Sequence, residues 1–169
     1  MSSRAHPGQL RAELLALGLT AATVLLLDQV TKAMVAASIE VGGRIEVIGD
    51  LVVLWHVRNT GAAFSLFQGG QAFFLVVTVL AFGMLIYFQR VFRGRGPLLH
   101  VVLGLVLGGT LGNLVDRVRL GYVTDFISVG IGDLRWPTWN VADGSLVVGI
   151  LALVGYLTFF DRPRSEVTA

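Results

Sequence analysis

No cysteine occurs among the 169 residues, and only 14% of them are charged. The first absence excludes disulfide staples, thiol nucleophiles, thiolate zinc sites and iron–sulfur clusters, and it excludes anchoring of the chain through a lipidated cysteine of its own. The second is far below the roughly 25% of a typical soluble domain, and hydrophobic residues reach 54%. Histidine is scarce too: His6, His56 and His100 fall in separate regions, so neither a histidine triad nor an imidazole metal site is expected. There is no G-x-S-x-G elbow and no Walker-type loop. A net charge of +2 with scattered arginines argues against nucleic acid as a partner. What remains is a chain whose solvent is partly lipid.

A helix that crosses a bilayer needs about 20 mainly apolar residues. Four stretches approach that: 13–38, 71–92, 98–118 and 140–160. The expectation is one membrane domain over residues 1–169, a four-helix bundle carrying a small β-sheet. Arg4 and Arg11 ahead of the first span, with the small residues Val35-Ala36-Ala37 near its end, resemble a cleavable signal peptide. The apolar run to Leu27, however, leads into Asp28 and Lys32 rather than a cleavage motif, so a retained helix is expected. An even number of spans puts both termini on one side, together with Arg90, Arg93 and Arg95 of a short loop and Arg162 and Arg164 near the end. Arginines in a short loop hold it in the cytoplasm, so both termini are expected inside and segments 39–70 and 119–139 outside. In those segments Ile45 to Val57 and Tyr122 to Val129 read as strands, with turns at Val41-Gly42-Gly43 and Ile48-Gly49-Asp50. The expectation is a sheet lying on the outer membrane face, with Trp55, Trp136 and Trp139 as interfacial anchors.

An ionisable group inside a span is a functional suspect, because a charge at the bilayer centre costs about 2.5–3.5 kcal/mol on insertion scales. Here the exceptions cluster. Asp28 and Lys32 close the first span, Asn113, Asp116 and Arg117 close the third, and Asn140 and Asp143 open the fourth. With the orientation above, all lie at one depth near the outer surface. Asp28 and Lys32 form an i,i+4 pair of favourable order, read as structural. Asn113 shares a helical face with Asp116 and Arg117, and Asn140 one with Asp143. Asp125 interrupts a strand-like run, and the loop after it is long enough to fold back onto Asp143. Two carboxylates brought together near a low-dielectric boundary cannot both ionise and share one proton, which suits acid–base chemistry on water. Two other readings stay open: a proton-coupled transporter, disfavoured by the lack of inverted repeats, and a metal-dependent membrane hydrolase with Asp116, Asp125 and Asp143 as oxygen ligands. Gly104, Gly108, Gly109 and Gly112 signal close helix packing, not a phosphate cradle.

Five segments carry a resemblance to a known family: Asp28-Gln29-Val30-Thr31-Lys32, Asn59-Thr60-Gly61-Ala62-Ala63-Phe64-Ser65, Gly108 through Arg117, Gly121 through Phe126, and Trp139-Asn140-Val141-Ala142-Asp143. In this order among the spans they make the chain resemble the lipoprotein signal peptidases (signal peptidase II), the bacterial membrane aspartic peptidases, over nearly its whole length. Trp139 departs slightly, since the family more often has phenylalanine there. The resemblance implies an aspartic endopeptidase that removes the signal peptide of prolipoproteins just before a diacylglyceryl-modified cysteine, at the outer face of the bacterial cytoplasmic (inner) membrane. It implies a catalytic pair at Asp125 and Asp143, with Asn59, Asn113, Asp116, Arg117 and Asn140 contacting substrate or holding the pair, and a mainly structural role for Asp28 and Lys32. No metal or other cofactor is expected, and the partners are prolipoprotein signal peptides and membrane lipids, met by a monomer.

Overall fold

The computed structural model describes residues 6–61 and 71–159, with the backbone alone for 71–75. Arg4, Arg162, Arg164, Phe160 and the stretch Ala62-Ala63-Phe64-Ser65 lie outside the described residues. Among the described residues, four helices and four strands follow in the order α1 (Pro7–Ser38), β1 (Arg44–Ile48), β2 (Val52–Asn59), α2 (Gln71–Val91), α3 (Pro97–Leu120), β3 (Val123–Ile131), β4 (Leu134–Arg135) and α4 (Val141–Phe159). Three of the helices, α1, α3 and α4, are long and apolar enough to cross a membrane; α2 contributes a shorter apolar segment, Val76–Val91.

Local chemistry sets the helix ends. Pro7 opens α1 behind His6, whose Nδ1 accepts from the Gly8 N–H at 3.2 Å. Pro97 opens α3, and Gly121 closes it in the left-handed conformation (φ 79°), its N–H donating to the Arg117 carbonyl. Leucines such as Leu14, Leu15, Leu19, Leu26 and Leu27 stand on the open face of α1, and Val79, Leu80 and Met84 on that of α2. So much exposed apolar surface is out of place in water and suits contact with lipid.

The buried spine is α3, with α1 on one side and α4 on the other. Its glycines let the neighbours in. A Cβ on Gly104 would come within 2.8 Å of the Leu17 carbonyl oxygen of α1, and one on Gly108 within 2.8 Å of the Ala21 carbonyl oxygen. Gly109 faces α4 in the same way, where a Cβ would meet the Ala142 carbonyl oxygen at 2.5 Å. At the end of the bundle away from the sheet, Leu85, Phe92, Leu99 and Leu103 pack together, and the Phe88 and Phe92 rings stack at 5.2 Å. The turn between α2 and α3 is fastened there by Glu13 of α1, a buried carboxylate accepting from the Gly94 and Gly96 N–H groups at 3.0 and 2.9 Å.

At the opposite end β1, β2, β3 and β4 form an antiparallel sheet in chain order. The strand-like runs and both turns fall where the residue pattern expects them. Beyond the strand-like run, the stretch leading to Asp143, expected as loop, first continues β3 to Ile131 and then turns through Gly132 (φ 55°) into the short strand β4. Residues 123–126 are all buried, so β3 is covered on both faces there, and Val35, Ile39 and Phe126 form the small core beneath. Of the tryptophans, Trp136 is exposed, but Trp139 exchanges main-chain hydrogen bonds with Ile127 and its ring faces Gly144. Trp55 lies under the Arg44 guanidinium, 3.8 Å from the ring centroid.

Close approach at the glycines has a measurable consequence. Gly108→Val forces the α1 and α3 backbones apart and should lower the thermal midpoint of the detergent-solubilised protein, by about 1–3 kcal/mol or more of stability. Gly155→Ala, at a helical glycine with open space around it, should be neutral or slightly stabilising.

Candidate active site

Asp125 and Asn59 meet through sheet register. Val57 lies opposite Asp125, and Asn59 lies opposite Val123. Residues 57, 59, 123 and 125 therefore share a face, with Asn59 diagonal to Asp125. The Asn59 Nδ2 donates to Asp125 Oδ2 at 2.8 Å and its Oδ1 accepts from the Gly61 N–H at 2.8 Å, so the amide is held at both ends.

Asp143 is placed by a helix start. Asn140 does not share a helical face with it, as the i,i+3 spacing suggested; it is the residue that caps α4. The Asn140 Oδ1 accepts from the Asp143 N–H at 3.0 Å, and Asp143 Oδ2 accepts from the Asn140 N–H at 3.2 Å. This is the reciprocal pairing of a capping box, with aspartate in the usual place of glutamate. The remaining Asn140 donor, Nδ2, reaches Asp125 Oδ1 at 2.6 Å, with a longer contact to the Asn113 Oδ1 at 3.2 Å. One fully buried asparagine thus touches both acids. Asn113 adds a second tie, its Nδ2 donating to Asp143 Oδ1 at 2.7 Å.

Behind the acids lies a charged cluster. The Lys32 ammonium stands 2.8 Å from Asp28 Oδ2, 3.0 Å from Asp116 Oδ2 and 3.1 Å from Asn113 Oδ1, all buried. Gln29, which residue patterning did not single out, crosses the cluster from Asp28 to Asp116 Oδ1 and the Gly112 carbonyl. Its place one residue after Asp28 in the first motif was the available signal. Gly112 is required here: a Cβ would fall 2.5 Å from Asp28 Oδ2.

Electrostatics separates Asp125 from an ordinary carboxylate. Burial, with a smaller contribution from nearby Asp143, pushes its pKa up to about 6, against the opposing pull of Asn59, Asn140 and Lys32. Arg117, half-buried on α3, carries a positive charge facing Asp143, Asp125 and Asp116. A cleft of about 650 Å³ opens beside these groups between α2, α3 and α4. Asn113, Arg117 and Asp143 form its polar end; Phe88, Leu103 and Leu157 line its depth.

All the candidate residues from the sequence, apart from the stretch of the second motif that lies outside the described residues, are therefore gathered at the sheet end of the bundle. Asp116 does not join Asp125 and Asp143 as a free oxygen ligand, because Lys32, Gln29 and the Thr124 N–H occupy its oxygens. Among the described residues no group of three acidic, histidine or cysteine side chains is arranged to hold a metal ion.

Acids held by amides beside an apolar cleft suit a membrane hydrolase that works on water with carboxylates. Comparison with known proteins narrows the class. The family model for signal peptidase (SPase) II matches residues 20–159. The chain is 40% identical over 142 residues to the lipoprotein signal peptidase of Symbiobacterium thermophilum, spanning 84% of this chain and 93% of that one. It is 42% identical over 132 residues to that of Shouchella clausii, spanning 78% and 85%. A bacterial membrane enzyme solved by the in meso method at 1.9 Å superposes with a TM-score of 0.76 at 30% identity, over 95% of this chain and 99% of that one. The chain belongs to the signal peptidase II family.

Asn140 both caps α4 and steadies the two acids, so its loss has two readouts. Asn140→Ala should cost about 0.5–2 kcal/mol of stability through the cap and lower turnover per folded molecule by more than tenfold, measured by thermal unfolding and a cleavage assay on the same preparation. Unchanged turnover would show that Asn140 serves the helix alone.

Proposed function

We propose that this signal peptidase II removes the signal peptide of diacylglyceryl-modified prolipoproteins by cleaving just before the modified cysteine, with Asp125 and Asp143 as the catalytic pair. The observation that carries the reading is the shared bracket around those acids, with Asn140 hydrogen-bonded to both. The whole of residues 1–169 acts as one membrane domain. Four helices cross the cytoplasmic (inner) membrane, with both termini in the cytoplasm and the sheet end at the periplasmic surface. The short arginine-rich turn at the opposite end of the bundle favours that orientation.

Chemistry follows from the geometry. Two acids in a water-poor site hold one proton between them. The ionised carboxylate takes a proton from a water molecule as it attacks the scissile carbonyl, and the protonated one donates to the carbonyl oxygen. Collapse of the tetrahedral adduct expels the amine of the cysteine, which receives a proton from the pair. Arg117, at the mouth of the cleft, is suited to offset the negative charge that develops, and Asn59 holds Asp125 at the face where the substrate lies. Asn113 and Asp116 support the pair from α3. Acyl chains and the apolar segment of the signal peptide enter the cleft from the lipid, so anchoring the substrate by its tails places the bond at the acids' depth and removes part of the entropic barrier. A single chain contains every group this scheme uses, which fits a monomer surrounded by membrane lipids.

Asp125→Asn and Asp143→Asn should each remove at least about 99% of cleavage of a diacylglyceryl prolipoprotein while leaving the protein inserted and folded; activity above a few per cent in either variant removes that residue from the scheme. Chelators should leave the rate unchanged, whereas loss with EDTA and recovery with Mg²⁺ would point to a metal hydrolase. The pH dependence has a definite sign. The pair works with one proton, and Asp125 in the free enzyme gives that proton up as pH rises through about 6. The kcat/KM profile, which reports the free enzyme, should therefore begin to fall on its alkaline side near there. Bound substrate displaces the remaining water and favours the neutral acid, so the corresponding limb of kcat should lie at higher pH.

A further inference from the structure

We propose that Lys32 is the positioning residue of the reaction, because its ammonium clamps two carboxylates that each hold the main-chain N–H immediately preceding one catalytic aspartate. The proposal rests on Asp125 and Asp143 being the reacting acids, and it goes beyond a merely structural ion pair.

The two arms are alike. On one, Asp28 Oδ2 meets the ammonium at 2.8 Å while Asp28 Oδ1 accepts from the Ala142 N–H at 3.0 Å, the residue before Asp143. On the other, Asp116 Oδ2 meets the ammonium at 3.0 Å and also accepts from the Thr124 N–H at 3.0 Å, the residue before Asp125. A third donor direction of the same ammonium goes to Asn113 Oδ1, and Asn113 Nδ2 donates to Asp143 Oδ1. Every member of this frame except Asp143 itself is buried. The helix carrying one acid and the strand carrying the other are thus referred to a single nitrogen atom on α1. Fixing two separately folded segments to one point sets the spacing of the acids, and spacing is what a shared proton and an attacking water demand. A misplacement of about 1 Å is enough to cost 10²-fold in rate.

Lys32 also acts through its field. The charges acting on Asp125 are Asp143 from α4, Lys32 from α1 and Arg117 from α3, while Asp28 and Asp116 face the ammonium itself. Lys32 is a cation among those that hold Asp125 down against burial.

The obvious variant, Lys32→Met, strands two buried carboxylates and is apt to misfold. The informative variant is Lys32→Met with Asp28→Asn. Lys32, Asp28 and Asp116 together sum to one negative charge, and Asp116 alone carries the same charge in the double variant. Asp116 still loses its cation there, so that protein should melt below the parent yet fold, and its kinetics are read per folded molecule. Its kcat on a diacylglyceryl prolipoprotein should fall about 100-fold or more with KM within about threefold. The alkaline limb of its pH profile should move to higher pH, since the cation opposing the neutral form of Asp125 is gone. A purely structural role predicts lower yield and melting temperature, with kcat per folded molecule and the limb unmoved; that result overturns the proposal. Asp125→Asn run alongside keeps the two ideas apart. An active Asp125→Asn removes the acid pair itself, whereas an inactive one beside a full-speed double variant removes only the clamp.

Discussion

The structure turns on one buried ammonium. Lys32 sits between Asp28 and Asp116 at the sheet end of a bundle whose outer faces are apolar. Desolvating an ion costs several kcal/mol, and only tight pairing with every remaining donor and acceptor satisfied repays it. That requirement explains why the polar residues crowd at one depth. Each charge buried near lipid needs partners, the partners need partners, and the chain of demands runs from α1 through α3 to β3 and the first turn of α4. Gln29 bridges the two carboxylates, Asn113 takes the third ammonium direction, and main-chain N–H groups of Thr124 and Ala142 fill the oxygens that remain.

Packing makes that network possible. Gly104, Gly108, Gly109 and Gly112 strip side chains from α3 where α1 and α4 approach, so three helices come close enough for short side chains to meet across them. Without the bare surface at Gly112, the Asp28 carboxylate has no room. Close packing is one-sided, however. Between α2, α3 and α4 the same bundle leaves an apolar cleft that ends at Asn113, Arg117 and Asp143. Close contact on one flank and open volume on the other suits the proposed scheme, in which the acids are held in place while a lipid-anchored chain enters from the side.

Much of this was legible in the residues. Hydropathy located all four helices to within a few residues, apart from the start of α1, which begins at Pro7 rather than near 13; a helix extends beyond its apolar part when caps such as His6 and Pro7 permit. Alternation and turn residues located β1, β2 and β3. Polar residues out of place in apolar spans pointed to the site, because the cost of placing them there makes accident improbable. What spacing misread was the role of Asn140. The i,i+3 rule assumes both residues are inside the helix, whereas the helix starts at Val141, and a cap and a helical face share the same spacing. Long-range pairings were illegible in principle. That Asp28 reaches Ala142, 114 positions away, depends on which helices pack together, and no local pattern encodes it. Glu13 escaped notice for a similar reason: beyond the local Gln9, its hydrogen bonds lie in the turn before α3.

Asp116 shows how residue type and role part company in such a site. As a third acid near Asp125 and Asp143 it would complete an oxygen set for a divalent cation, and the sequence alone leaves that reading open. Its oxygens are spent instead on Lys32, Gln29 and the Thr124 N–H. The charge that a metal would supply from outside is built in as the Lys32 ammonium, delivered by a side chain already needed to bind α1 to α3. An internal cation at a fixed position lets Asp28 and Asp116 gather behind the site, while amides of Asn59, Asn113 and Asn140 donate to Asp125 and Asp143. Amide partners orient a carboxylate without neutralising it, which suits the proton exchange proposed for Asp125 and Asp143.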